Sequence, residues 1–325
     1  MDDPVVATRS LTKLYGRTVG VCDLDLELVT GEVYGFIGPN GAGKTTTIRL
    51  LLDLIRPTSG SATVFGLDSH RSAIDIRRRV GYVPARLAFH DRLTAEELFA
   101  WLGRLRPGYE RAAALALAER LDLDVGRRIG ELSTGNRQKV GLVQAFMHRP
   151  ELLILDEPTS GLDPLVRREF RNLLVETRTE GATVLLSSHV LAEVEDMCDR
   201  VGTIVDGRLR SVNSVDELQL LSRRHVRVAF EGPIGPGELA VLPGVDNVHV
   251  VEEAAARPDR TTIELDVTGS LDRLIKELGH HTIVDFLSRS MSLEEIFLES
   301  YDGAERPTPS TNGDRVPRPE GVEST

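Results

Sequence analysis

Apolar and polar positions alternate in short bursts through the first part of the chain. "VVATRSLTKLYG" (5–16) and "VCDLDLELVTGEVYGFIG" (21–38) read as strands broken by turn residues. At "TTTIRLLLDLI" (45–55) the spacing becomes helical, with Ile48, Leu51, Leu52 and Ile55 recurring along one side. "RPTSG" (56–60) stops that helix. "SATVFG" (61–66) and "RVGYVP" (79–84) return to strand. Residues 94–124 read as helical: "TAEELFAWLGRL" begins with Thr94 and Glu97 at capping-box spacing, and "ERAAALALAERLDL" is rich in Ala and Leu. "ELLILD" (151–156) and "ATVLLSSH" (182–189) are continuous apolar runs, as strands covered on both faces are, with a helix over 164–180 between them. "VGTIVDGRLR" (201–210) reads as a hairpin turning at Asp206-Gly207.

Strands alternating with helices predict an α/β fold with a parallel, doubly wound sheet over residues 1–215, interrupted by a helical insertion at about 86–145. The character changes near 215. "VRVAF", "VDNVHVV" and "TTIELDV" read as strands, "SLDRLIKEL" and "SLEEIFLESY" as helices, giving a small α+β domain over 216–302. Residues 303–325 carry Pro, Ser, Thr and Gly with almost no apolar side chains, the composition of a disordered tail.

Composition narrows the class. Of 325 residues, 41% are hydrophobic and 27% charged, which suits a soluble globular chain with a sizeable core. A net charge of -11 argues against general affinity for nucleic acid, which needs a basic footprint. The two cysteines, Cys22 and Cys198, are far apart and read as reduced, buried thiols. "MDDPVV" lacks the basic start and apolar run of a secretory signal, and no apolar run reaches the roughly 18 residues of a membrane span. Any action at a membrane then needs another chain to cross it. His280-His281, with no third ligand nearby in the sequence, reads as surface or packing.

The chemistry concentrates at strand ends. "GPNGAGKTTT" (38–47) follows the buried-looking "VYGFI" and has the pattern Gly-x-x-x-x-Gly-Lys-Thr. Gly41 and Gly43 let backbone N–H groups approach phosphate without a Cβ in the way. The helix that starts near Lys44 aims its free N–H groups and positive dipole end at the same place. Lys44 would set its charge between the β- and γ-phosphates, Thr45 would ligate Mg2+, and Thr46 would add a phosphate contact. The whole loop, Gly38, Pro39, Asn40, Gly41, Ala42, Gly43, Lys44, Thr45 and Thr46, is the candidate phosphate cradle.

"LLILDEPT" (152–159) ends a buried strand with Asp156 and Glu157. A carboxylate there is costly unless paired or bound to a cation. Strand alternation points the two apart, so Asp156 is the candidate Mg2+ ligand and Glu157 the residue that polarises the attacking water. The plainer alternative is that both cap the following helix. "LSTGNRQ" (132–138) puts Ser133 at a helix start with Gly135 after it, which suits an anion but is also an ordinary N-cap. "SSH" (187–189) is another polar strand end, and taken alone its histidine is as readily structural.

Taken together and in this order, the motifs resemble the nucleotide-binding subunit of ABC transporters over residues 4–215, that is, a P-loop NTPase ABC cassette with a helical subdomain. "LYG" would supply Tyr15 as the adenine-stacking aromatic, "LSTGNRQ" the signature, "SGLDP" (160–164) the D-loop and His189 the switch histidine. The pattern "LSTGNRQKVGL" and the closing "SLEEIFLESY" look most like ATPases of bacterial drug and antibiotic exporters. The resemblance implies two cassettes, in a homodimer or heterodimer, pairing head to tail with ATP between them. Ser133 and Gly135 of one would meet the γ-phosphate held by the other. It also implies a transmembrane permease subunit as partner, a peripheral place on the cytoplasmic face of the membrane, and no nucleic acid. One departure stands out: where the family usually has Gln or Glu after "GY-x-P", this chain has Ala85. A water could substitute with turnover retained, or hydrolysis could be slower.

Two other functions compete. A soluble ABC-type ATPase acting in translation would usually carry two cassettes or a long insertion, and neither is visible. A nucleotide-binding regulator without turnover is prompted only by Ala85.

Overall fold

The computed structural model describes residues 4–217, 223–251 and 260–290. Two sheets form the N-terminal part. The first is antiparallel and is made of β1 (Val6–Tyr15), β2 (Thr18–Leu24), β3 (Glu27–Leu28), β5 (Ser59–Val64) and β6 (Leu67–Asp68), in the order β2-β1-β5-β6 with β3 also beside β1. The second is built from β4 (Val33–Ile37), β7 (Val80–Val83), β8 (Leu152–Asp156), β9 (Thr183–Ser188), β10 (Arg200–Val205) and β11 (Arg208–Ser214). Its order is β11-β10-β4-β9-β8-β7, parallel throughout except for the edge strand β11. The expectation of one doubly wound sheet therefore needs a correction: β1, β2, β3, β5 and β6 stand apart from it and form an antiparallel layer of their own.

Helix α1 (Lys44–Leu51) lies between the layers. Ile48, Leu50 and Leu51 are buried with Leu24, Tyr34, Phe36, Ile154 and Leu185 in one core. A second core lies under the helical segment. There α3 (Ala95–Gly103), α4 (Arg111–Arg120) and α5 (Thr134–Phe146) pack Phe99, Val140 and Phe146 with Leu155 and with Phe170 of α6 (Pro164–Thr179). Phe146 and Phe170 meet edge to face, with ring centroids 6.3 Å apart. The helical segment thus runs over 95–146, close to the predicted insertion.

Local chemistry explains the boundaries. The capping box at α3 forms as the sequence predicts: the Thr94 hydroxyl accepts from Glu97 N–H and the Glu97 carboxylate accepts from Thr94 N–H. Asp163 caps α6, accepting from Leu165 and Val166 N–H at 3.0 Å, with Pro164 in the first turn. All five residues of β8 are buried. The β10–β11 hairpin turns at Asp206 (φ 50°) and Gly207 (φ 76°), the paired left-handed geometry that Asp-Gly favours. Helix α1 stops short of the predicted residue 55. Asp53 adopts φ 53°, and its carboxylate meets Arg56 at 3.2 Å and His70 at 3.5 Å. Short α2 (Ala73–Arg79) and α7 (Leu191–Met197) were not legible, because a helix of two turns shows too few apolar repeats.

A third, antiparallel sheet belongs to the small α+β unit. It uses β12 (Arg223–Glu231), α8 (Pro236–Ala240), β13 (Val245–Val250), β14 (Arg260–Thr268), α9 (Asp272–Leu278) and β15 (Ile283–Ser290), with sheet order β13-β14-β12-β15. Val226, Val228, Phe230, Ile263, Leu265, Leu274 and Leu278 fill its core. The His281 ring packs edge-on against Phe230, centroids 5.8 Å apart, the second of the two roles, surface or packing, that the sequence left open for this pair. The predicted "SLEEIFLESY" helix and the tail 303–325 lie outside the described residues. Cys22 and Cys198 are unpaired thiols and only partly buried by residue.

His148, between α5 and β8, is 4% exposed, and neither ring nitrogen has a hydrogen-bond partner among the described residues. Burial, reinforced by the nearby Arg106 guanidinium and only weakly opposed by an approach to the Val80 backbone that falls short of a hydrogen bond, pushes its pKa down from 6.5 to about 4. The unfolded chain therefore binds this proton first as pH falls, and His148 removes stability progressively between those two values. Unfolding midpoints at pH 7 and pH 5 should show His148→Leu losing less stability on acidification than the native chain, by up to about 2 kcal/mol. Parallel pH slopes for the two proteins would contradict this.

Candidate nucleotide site

Strand register assembles the site before any side chain is considered. Ile37 of β4 pairs with Ser188 of β9, and Ser187 of β9 pairs with Asp156 of β8. The residues that follow these strands, Gly38, His189 and Glu157, are thereby set along one edge. Carboxyl ends of parallel strands are where α/β sheets bind ligands.

The loop 38–46 turns from β4 into α1 with Gly41 at φ 84° and Gly43 at φ 114°. A Cβ on Gly43 would stand 2.6 Å from Gly20 O, and one on Gly38 would stand 2.2 Å from Ile204 O, so neither position admits a side chain. Ala42 N–H bonds back to Pro39 O at 3.2 Å, and Asn40 and Gly41 stay exposed at the tip. The first turn of α1 holds no acidic residue, so its positive end is not neutralised from within.

Lys44 is 6% exposed and curls back under the loop, donating to Gly38 O at 2.5 Å and to Pro39 O at 3.3 Å. Its Nζ lies 3.7 Å from Glu157 Oε1. Burial lowers its pKa, and the charges of Glu157 and Asp156 oppose that shift. Asp156 is fully buried: one oxygen accepts from Thr45 Oγ1 at 2.7 Å, the other from Ser187 Oγ. Glu157 has φ 52° and donates its N–H to Ser187 O at 3.1 Å. Its carboxylate meets His189 Nδ1 at 2.8 Å. The adjacent acids thus face different groups, Asp156 the Thr45 hydroxyl and Glu157 the Lys44–His189 side.

The structure brings Lys44, Thr45, Asp156, Glu157 and His189 together by direct contact. Ser133 and Gly135 sit elsewhere, at the start of α5. The Ser133 hydroxyl accepts from Asn136 N–H at 3.3 Å, and a Cβ on Gly135 would meet Gly161 O at 2.6 Å. Tyr15 ends β1, 46% exposed, with Lys13 Nζ 5.3 Å from its ring centroid. Thr46 is partly buried beside Gly20, and Ala85 offers only an exposed methyl group just beyond β7.

Sequence reasoning missed several members. Ser187 holds the second oxygen of Asp156, and the "SSH" strand end carried that signal. Gln138 donates to Pro158 O at 2.9 Å, tying the start of α5 to the loop after β8. Thr159 and Glu193 form a contact at 2.6 Å that no motif announces.

A family model described as "ABC transporter" matches residues 21–160. The bacitracin transport ATP-binding protein BcrA of Bacillus licheniformis is 34% identical over 92% of this chain and 98% of its own length. A fluoroquinolones export ATP-binding protein of Mycobacterium tuberculosis is 31% identical over 91% of this chain and 92% of its own. A solved structure titled as the ATP binding subunit of an ABC transporter superposes with TM-score 0.61 at 29% identity, covering 66% of this chain and 92% of that one. The strand-loop-helix, the paired acids and these similarities define an ATP-hydrolysing cassette. This chain belongs to the ABC transporter ATP-binding subunits.

Lys44→Ala removes the one buried cation under the loop's own carbonyls. Equilibrium titration with a fluorescent ATP analogue should show affinity weakened about tenfold or more. Equal affinity would take Lys44 out of the cradle.

Proposed function

We propose that this subunit powers efflux of antibiotics or other small hydrophobic drugs through a separate membrane-spanning permease, from a peripheral position on the cytoplasmic face of the membrane. The printed roles of the bacitracin and fluoroquinolone relatives support the class of cargo. Among the described residues no helix is long and apolar enough to cross a membrane.

One observation carries the ATPase reading: Lys44, Thr45, Asp156, Glu157 and His189 converge where three parallel strands end. The loop amides and Lys44 bind the triphosphate. Tyr15, half exposed at the end of β1, offers its ring to the adenine. Thr45 and Asp156, a hydroxyl and a carboxylate 2.7 Å apart, are the hard oxygen donors that fit Mg2+. When bound, Mg2+ neutralises charge on the β- and γ-phosphate oxygens. Glu157 orients the attacking water, and His189, at 2.8 Å, holds Glu157 in place and reaches the same phosphate edge.

The site is completed by a second cassette, identical or related. Ser133 and Gly135 keep their contacts with Asn136 and Gly161, not with their own loop 38–46, and so stand ready for the nucleotide held by a partner copy. Hydrolysis then opens the pair and moves the permease between its two states.

Glu157→Gln should cut phosphate release by about a hundredfold or more while leaving ATP affinity within about twofold, since the cradle is untouched. Unchanged turnover would remove Glu157 from its role. Sharing of the site is tested by mixing. Lys44→Ala and Ser133→Arg chains, each inactive alone, should regain part of the activity together, because one of the two mixed sites is intact. No recovery in a mixture shown to exchange subunits would contradict the shared site.

A further inference from the structure

Behind the Glu157–His189 pair lies another carboxylate, Glu193, in the first turn of α7. Its side chain is 16% exposed. Oε2 accepts from Thr159 Oγ1 at 2.6 Å and from Ser188 Oγ at 3.3 Å, while Oε1 lies 3.4 Å from Arg167 Nη1. Each partner opens onto a different part of the site. Thr159 is two residues past Glu157. Ser188 immediately precedes His189, and its hydroxyl also accepts Val190 N–H at 3.0 Å, so it grips the chain on both sides of the histidine. Arg167, on α6, donates Nε to Leu162 O at 3.1 Å, within the loop 160–164 whose Gly161 carbonyl lies against Gly135.

One side chain therefore gathers three segments whose own backbone bonds to each other, Glu157 N–H to Ser187 O and Leu162 N–H to Thr159 O, are both 3.1 Å long, and adds a side-chain tie to each. Part of the arrangement serves the fold, since the Thr159 hydroxyl is buried and its 2.6 Å bond to Glu193 satisfies it. The Arg167 side chain is 50% exposed, and an ion pair of that exposure contributes little to folding. Positional control is a different matter. A displacement of about 1 Å at a reacting group costs on the order of a hundredfold in rate. The Glu157–His189 contact at 2.8 Å depends on the two backbone segments that Thr159 and Ser188 secure.

We propose that Glu193 is a positioning residue for ATP hydrolysis. It fixes the relative placement of Glu157 and His189 and couples that placement, through Arg167 and Leu162, to the loop 160–164 whose Gly161 carbonyl lies against Gly135. The proposal rests on the roles given to Glu157 and His189 above.

The test is steady-state hydrolysis with nucleotide titration and thermal melting on Glu193→Ala, Glu193→Gln, Thr159→Val, the Glu193→Ala/Thr159→Val double variant and Glu157→Gln. Glu193→Ala should lower kcat about 10- to 100-fold, with KM for ATP and nucleotide affinity within about twofold in a chain that is still fully folded at the assay temperature. Glu193→Gln keeps an oxygen for one hydroxyl and should fall between. Because Thr159 and Glu193 act through one hydrogen bond, the double variant should be no slower than Glu193→Ala. A normal kcat in Glu193→Ala, or losses that multiply in the double variant, overturns the proposal. So does a kcat loss matched by an equal loss of affinity or folding. If Glu193→Ala does not fold, Glu193→Gln decides by the same split of kcat from KM. Normal turnover in Glu157→Gln would instead sink the underlying reading. Slow Glu157→Gln with normal Glu193 variants sinks this proposal alone.

Discussion

A carboxylate with no access to water organises this molecule. Asp156 ends the strand β8, fully buried, and an ionised group in that position is tolerable only where its oxygens are satisfied. Thr45 and Ser187 satisfy one oxygen each. Those two hydroxyls come from the helix after the glycine loop and from the neighbouring strand, so the requirement at Asp156 welds loop 38–46, β8 and β9 into one unit. The same arrangement leaves a carboxylate beside a hydroxyl, two hard oxygen donors 2.7 Å apart, next to the loop 38–46.

The rest of the cassette can be read as support for that unit. Parallel pairing of β4, β9 and β8 fixes which residues emerge side by side. Helix α1 is held between two layers by Ile48 and Leu51, and its amino end cannot shift without disturbing both. Gln138 links the start of α5 to Pro158, and Glu193 links the segments around Glu157 and His189. The strained φ of 52° at Glu157 persists because its N–H and its carboxylate are both engaged. Function and architecture meet at strand ends, and the helical segment places Ser133 and Gly135 at the start of α5, beside Asn136 and Gly161.

Much of this was legible in the sequence where the cause is local. Three glycines around a lysine, the all-apolar run before Asp156, the Thr94–Glu97 cap and the Asp206-Gly207 turn each depend on residues within a few positions. Illegible features depend on partners far along the chain. Ser187 finds Asp156 across 31 residues, Glu193 finds Thr159 across 34 and Gln138 finds Pro158 across 20. The polar "SSH" strand end marked Ser187 as a candidate, but no period or motif encodes which residue each of these side chains finds. The antiparallel first sheet escaped for the same reason, since its strands look like those of the parallel sheet until their neighbours are known. Helix α1 ended early because Asp53, apparently one more polar position, takes a left-handed turn secured by Arg56 and His70.

The most direct test of the account is ATP binding to the intact chain, with and without Mg2+, compared between the native protein and Asp156→Asn. If the buried carboxylate is there to hold the metal side of the nucleotide, Mg2+ strengthens binding to the native chain. The variant then binds ATP without Mg2+ as well as the native chain does but gains little when the metal is added. Equal gains from Mg2+ in both proteins, with Asp156→Asn folded, would show that the charge at the end of β8 serves the fold alone.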